Sequence, residues 1–270
     1  MNKLQKTKFI GLSFALAWLA AAPAQAQLLP TPTQEAKPGL RWWWLGSAVD
    51  KENLKWNLDE YAKAGVGAVE ITPIYGVQGN DKNEIPYLSP RWMDMLKFVQ
   101  QENKQVGIET DMATGTGWPF GGPWVPINEA ACKAVFVDTI VDVKQKLMDI
   151  QFDVPQKERK FAKLKVIKAY PVADDAKKKR VIALYESRTR QKVKRAAPGG
   201  EGYVIDHFDS TAVAHYLQHI DSAFVASKTP YPHTFFNDSY EVYGANWTPT
   251  LLDEFEKMHG YKMQDKFPEF

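Results

Sequence analysis

Two hydrophobic rhythms alternate along the first part of the chain. Leu40–Gly46 (LRWWWLG) is a short apolar run, and so are Gly67–Ile74 (GAVEITPI) and Gln105–Met112 (QVGIETDM). Short apolar runs bounded by glycine and polar residues predict buried strands. Between them the spacing becomes helical. Leu54, Leu58, Tyr61 and Ala62 share one face of a segment that Asp50 can cap and Gly65 can stop. Trp92, Leu96 and Val99 form the stripe of a second helix, opened by Ser89 as its cap and Pro90 at its first position.

The rhythm changes after Gly122. Residues 131–195 alternate apolar and polar positions, as in CKAVFVDTIV and KLKVIKAY, with no helical stripe between them. That pattern predicts antiparallel strands, inserted into the α/β series. The insertion also carries two basic runs, Lys177–Arg180 (KKKR) and Arg188–Arg195 (RTRQKVKR). They lack interleaved aromatics, so they read as the solvated face of a hairpin and not as a nucleic-acid site. The α/β rhythm then returns with a strand over Tyr203–Asp209. A helix capped by Ser210 follows, with Val213, Leu217, Ile220 and Phe224 facing inward. A strand over His233–Glu241 comes next. The last helix is capped by Thr248–Pro249, carries Leu252, Phe255 and Met258, and stops at Gly260.

Alternating strands and helices predict an α/β fold with a parallel sheet of about five strands. Each predicted strand ends in polar or aromatic residues just before its helix, which is where a (β/α)8 TIM-like barrel carries its active site. The pattern fits either an open sheet or the front part of such a barrel, with the antiparallel β insertion at 131–200. The expected segments are 1–26, 27–38, 39–130, 131–200 and 201–270. The first is a signal peptide: Lys3, Lys6 and Lys8 precede an apolar stretch over Phe9–Ala22, and Ala24-Gln25-Ala26 is an A-x-A cleavage site. It implies export to the periplasm or outside the cell. The second, proline-rich and polar, is a linker. No other segment is long and apolar enough for a transmembrane helix. A net charge of +2 gives no general attraction to nucleic acid. Cys132 is the one cysteine, so no internal disulfide can form.

The strand ends hold the candidate chemistry. They collect Trp42–Trp44, then Glu70 with Thr72, Glu109 with Asp111, Asp206 with His207, and Asp238 with Glu241. Glycoside hydrolysis needs a carboxylic acid to protonate the leaving oxygen and a second carboxylate to activate water or attack. Aromatic faces stack on the apolar faces of sugars. A single acid at a strand end can simply cap the next helix, but acids on four strands with tryptophans beside them point to a sugar site. The loop GTGWPFGGPWV (Gly115–Val125) has no lysine after its glycines, so it is not a phosphate loop. Its Trp118 and Trp124 either wall a pocket or fold back in a rigid turn. His215 and His219 share a helix face without the H-E-x-x-H pattern and read as a surface or partly buried pair. Cys132 reads as core.

Three stretches together resemble a known family: RWWWLGSAVDKENLKWNLDEYAKAGVGAVEITPIYG, GIETDMATGTGWPFGGPWV and FNDSYEVYGANWTPTLLDEFEKMHGY. They look like the front of the large secreted bacterial α-L-rhamnosidases, glycoside hydrolases with a (β/α)8 catalytic barrel. The resemblance runs from Gly39 to the C-terminus and is weakest over the basic insertion. It implies an inverting mechanism with two carboxylates and a calcium ion near the sugar. Glu241 in NDSYE matches the general acid, and Asp238 would support it or orient substrate. Glu70, Asp111 and Asp206 would bind sugar hydroxyls or the ion, and Trp43, Trp44, Trp118, Tyr243 and Trp247 would contact the sugar. Because family members are several times longer, the resemblance implies an N-terminal piece whose general base lies beyond Phe270. The expected substrate is terminal rhamnose on plant polysaccharides. A non-catalytic carbohydrate-binding protein and an inactive remnant are the alternatives.

Overall fold

The computed structural model describes residues 32–270, so the signal-peptide reading of residues 1–26 lies outside the described residues. Gln34–Ala36 form one turn of 3-10 helix. From Pro38 onward the chain forms a single compact unit. Its α/β part opens with β1 (Gly39–Leu45), α1 (Lys51–Lys63), β2 (Ala68–Ile74), α2 (Pro90–Val106) and β3 (Glu109–Ala113). Two of the expected caps are in place. Asp50 accepts from the Asn53 N–H and the Ser89 hydroxyl from the Trp92 N–H, each satisfying a free donor of the first turn. Gln105 and Val106, expected in the third strand, close α2 instead. Gly107 follows them at φ 73°, and its left-handed conformation ends the helix before the strand begins.

The remaining elements are β4 (Gly121–Gly122), β5 (Cys132–Asp142), β6 (Lys163–Pro171), β7 (Lys178–Arg188), β8 (Tyr203–Val204), α3 (Ser210–Ser227), β9 (Thr234–Phe236) and α4 (Leu251–His259). They form three sheets. One is parallel, in the order β1-β2-β3-β9. The expected antiparallel insertion is the sheet β5-β7-β6. Two expectations are corrected. The strand expected over Tyr203–Asp209 is two residues long and pairs antiparallel with Gly121–Gly122, so the parallel sheet has four strands and not five. The helix after it is capped by Asp209, whose carboxylate accepts from Thr211 and Ala212, and not by Ser210.

Parallel pairing in register sorts the side chains. Leu40, Trp42 and Trp44 lie beside Val69, Ile71 and Pro73, and Ile71 lies beside Met112. This face is packed under the helices. Trp44, Leu54, Leu58 and Trp92 are each at most 1% exposed, and burial of such a side chain is worth about 1.5–3 kcal/mol. Trp42, Trp44, Trp92 and Tyr87 form a chain of edge-on and tilted rings with centroids 5.0–5.9 Å apart. Ser47, fully buried, accepts the Trp92 indole N–H at 3.0 Å. The opposite face carries Arg41, Trp43, Glu70, Thr72, Asp111 and Phe236.

A second, separate core lies on the insertion. Cys132, Ile182, Leu184, Trp247 and Phe267 pack together, with Leu251, Leu252 and Met263 against them. The last helix was expected to be capped by Thr248–Pro249, but its N-cap is Thr250, with no side-chain cap hydrogen bond. It covers the second core, with Leu251 and Leu252 packed against Ile182, Leu184 and their neighbours. Met258, expected inward, is 76% exposed.

Glu158 anchors the other side of the insertion. Burial alone would push its carboxyl up, but hydrogen bonds from Lys133 (2.7 Å), Arg190 (3.2 Å) and Ser187 (2.8 Å) outweigh that and hold it at about 2. A depressed native value stabilises the fold above the ordinary glutamate range, and this contribution is lost as pH falls from about 4.5 toward 2. Thermal unfolding followed against pH should show that loss. In Glu158→Gln the acid dependence should flatten and stability at pH 7 should fall by on the order of 2–3 kcal/mol, since two cations lose their partner.

Candidate active site

One cross-strand row of four residues defines the concave side of the parallel sheet. Arg41 pairs in register with Glu70, Glu70 with Asp111, and Asp111 with Thr234. Arg41 stands at the β1 end of this row. Its Nε lies 3.1 Å from Glu70 Oε1, and its Nη1 lies 2.6 Å from Asp238 Oδ2. Asp238 belongs to the loop after β9, so one guanidinium from the first strand ties the second strand to the end of the fourth. The same guanidinium lies 5.5 Å from the centre of the Trp43 ring and 4.9 Å from that of Phe236. Cation–π geometry of this kind fixes both rings beside the charges. Thr72 donates to Glu70 Oε1 at 2.9 Å, and His233 meets Asp111 at 3.1 Å.

The loop Asn237–Trp247 distributes its side chains in three directions. Asp238 goes to Arg41. Tyr240, Val242 and Ala245 line a small cavity of about 80 Å3 with Asp206, His207 and Phe208. Glu241 points to Lys194 at 2.8 Å, with Tyr243 beside it at 3.2 Å from the same ammonium. Three residues span at most about 11 Å of extended chain, so Asp238 and Glu241 are anchored on one short loop. The loop is at the C-terminal ends of the strands. There the Gly117 N–H donates to Pro73 O at 3.0 Å, the Tyr75 N–H to Arg195 O at 3.0 Å, and the Trp118 N–H to Lys194 O at 3.0 Å.

The expected site residues therefore divide. Trp43, Glu70, Asp111 and Asp238 share the concave side, and Glu241 and Tyr243 stand at its rim. Glu241 keeps 53% of its side chain exposed, enough to meet a ligand. Trp118 is half-buried, its backbone paired with Lys194. Trp44 and Trp247 are 1% and 2% exposed, because each faces a hydrophobic core, so neither can reach a sugar. Asp206 is 2% exposed and opens on the small cavity, not on the concave side. Burial pushes its carboxyl up from its ordinary value, although the Phe208 N–H donates to it at 3.0 Å. Burial pushes the neighbouring His207 down.

Arg41, Phe236 and Lys194 complete the arrangement and were not singled out from the sequence. Arg41 shares the period-2 alternation of LRWWWLG with Trp43, a signal that placed both on one face. Lys194 carries no local signal, since its partner is 47 residues away. Trp124 of the glycine-rich loop folds back, stacked on His219 at 4.2 Å. His215 meets Glu129 at 2.9 Å, so the histidine pair holds no common ligand. Among the described residues no three His, Cys, Asp or Glu side chains converge on a metal site. Glu70 and Asp238, the nearest acids, are engaged by Arg41. The calcium ion implied by the resemblance therefore has no such donor set among the described residues.

Known proteins bear on this geometry. The family model for alpha-L-rhamnosidase, glycoside hydrolase 106, matches residues 30–182 and 171–270. A Formosa agariphila protein that carries a beta-glucuronidase name is 23% identical over 300 residues, covering 88% of this chain and 26% of its own. A rhamnosidase structure from Novosphingobium sp. PP1Y superposes with a TM-score of 0.67 at 15% identity, over 89% of this chain and 42% of that one. The chain thus spans about a quarter of the curated relative and less than half of the solved structure.

Cys132 is fully buried, and burial pushes its thiol up to about 12. Ellman's reagent should leave it unmodified in the native protein at pH 8 and titrate it fully in denaturant. Arg41→Met should leave Glu70 and Asp238 facing each other unpaired, at a cost of roughly 1–3 kcal/mol. Hydrogen exchange should then quicken over residues 237–247 more than over α2. With the family model covering nearly all of the chain, the chain belongs to the alpha-L-rhamnosidase family of glycoside hydrolases.

Proposed function

We propose that this chain supplies the acid side of the active site of a secreted glycoside hydrolase that removes terminal α-L-rhamnose from polysaccharides. The observation that carries the reading is the loop after β9. Its Asp238 is tied to Arg41 on the concave side while its Glu241 stays half-exposed at the rim. A carboxyl group placed there can donate its proton to a glycosidic oxygen while Trp43 and Phe236 offer rings to the sugar. Hydrolysis with inversion then needs a second carboxylate on the far side of the sugar, about 6.5–9.5 Å away, to activate water. We assign that base to residues beyond Phe270, and we read the four parallel strands as the front of a (β/α)8 barrel. An apolar hollow of about 370 Å3 beside β9, lined by Leu217, Ile220, Phe224, Tyr231 and Phe235, fits the packing of further elements there.

The charge balance favours a neutral sugar over a uronic acid. A uronate carboxylate is best recognised by an arginine fork. Here Arg41 is already committed to Glu70 and Asp238, and Asp111 adds a third carboxylate to the same side. A glucuronide would meet that face charge against charge. The lysine-rich start, apolar run and A-x-A site of residues 1–26 support export.

The test uses the protein expressed from its complete reading frame, with aryl α-L-rhamnosides and aryl β-D-glucuronides. Hydrolysis of the rhamnoside, with little of the glucuronide, is expected. Glu241→Gln should lower kcat by about 10²–10⁴-fold while circular dichroism stays unchanged. Near-normal turnover by that variant would remove Glu241 as the acid. Rhamnose binding without turnover by the wild type would make the protein a carbohydrate-binding module instead.

A further inference from the structure

The basic run RTRQKVKR is only partly solvated: Lys192 and Arg195 are exposed, but each of its cations has a specific partner. Arg188 is buried against Glu186 at 3.0 Å and donates to Ala130 O at 2.8 Å. Arg190 reaches Glu158, Lys192 lies over the Tyr203 ring at 3.4 Å, and Arg195 lies over Tyr75 at 5.1 Å. Lys194 is the member whose partner belongs to the candidate site.

Its backbone is fixed by a two-bond antiparallel bridge to Trp118, 2.8 Å from its own N–H to Trp118 O and 3.0 Å in the reverse direction. Gly117 makes that approach feasible. It sits at φ 56°, and a Cβ there would overlap the Lys194 carbonyl oxygen. From this fixed backbone the ammonium reaches Glu241 Oε2 at 2.8 Å and the Tyr243 hydroxyl at 3.2 Å, and it lies 4.3 Å from the centre of the Tyr243 ring. Gln191 of the same run grips the loop backbone from both sides. Its amide donates to Glu241 O at 2.6 Å and accepts from the Tyr243 N–H at 2.7 Å.

We propose that Lys194, delivered by the β-rich insertion, is the positioning residue of the general acid: it holds Glu241 Oε2 and leaves Oε1 to face the glycosidic oxygen. The inference rests on the acid role of Glu241. Lys194 keeps its proton throughout. The proton that reaches the glycosidic oxygen as the C–O bond breaks comes from the Glu241 carboxyl. The insertion is thereby part of the active site and not an appendage to it.

Leaving-group dependence separates positioning from mere structure. Protonation of the leaving oxygen matters for phenyl α-L-rhamnoside and little for 2,4-dinitrophenyl α-L-rhamnoside, whose phenolate departs unaided. In the protein from its complete reading frame, Lys194→Met should lower kcat/KM for the phenyl substrate by about tenfold or more and for the dinitrophenyl substrate by less than about threefold. Lys194→Arg should restore most of the loss. Equal losses on both substrates, or none, would overturn the Lys194 assignment while a selective loss in Glu241→Gln keeps the acid reading. A Glu241→Gln variant without that selectivity would overturn the acid reading and the Lys194 role with it.

Discussion

In-register parallel pairing of β1, β2, β3 and β9 is the constraint on which the rest of the molecule depends. It places every second residue of each strand on the same side. Trp42, Trp44, Ile71 and Met112 meet the helices, while Arg41, Glu70, Asp111 and Phe236 meet one another. A slip of one residue would drive Arg41 into the helix core and bring Trp44 out to solvent. The buried tryptophans and the concave charges are thus two consequences of one register. Arg41 then spans the concave side with its planar guanidinium, Nε and Nη2 toward Glu70 and Nη1 toward Asp238.

The antiparallel insertion depends on different forces. Its own core, around Cys132, Leu184 and Trp247, is closed by the last helix and the residues that follow it. Its cations are spent on specific partners: Arg188 on Glu186, Arg190 and Lys133 on Glu158, Arg180 on Asp138. Partly buried pairs of this kind contribute less to stability than they do to a single arrangement of chain. That arrangement carries Gln191 and Lys194 to the loop after β9. The two halves of the chain therefore meet at the candidate site, with the sheet supplying Arg41 and the insertion supplying Lys194.

Much of the fold was legible in the sequence because local physics decides it. Asp50, Ser89 and Gly260 mark helix ends by capping chemistry that involves only their neighbours, and all four parallel strands fall where the sequence pattern puts a strand, the last of them shorter than expected. The errors have a common origin. Tyr203–Asp209 reads as a parallel strand, yet its backbone is taken by Gly121–Gly122, far away in sequence. Trp247 reads as a sugar platform, yet it is needed to fill the core over Cys132. The basic run reads as solvated because its partners, Glu158, Glu186 and Glu241, cannot be seen from within it. For the site, Glu70, Asp111, Asp238 and Glu241 were legible as acids at strand ends, and Trp43 as an aromatic beside them. The cations paired with those acids were not, since a free surface lysine and one paired with a distant acid look alike until the fold joins them.

The most direct test of the central claim, that the concave side and the Asn237–Trp247 loop form one sugar site, is a crystal structure of the protein from its complete reading frame with L-rhamnose bound. The sugar should lie on the concave side against Trp43, with Glu241 Oε1 about 2.6–3.2 Å from the anomeric oxygen. Rhamnose bound only in the Asp206 cavity or on the insertion, with the concave side empty, would contradict it.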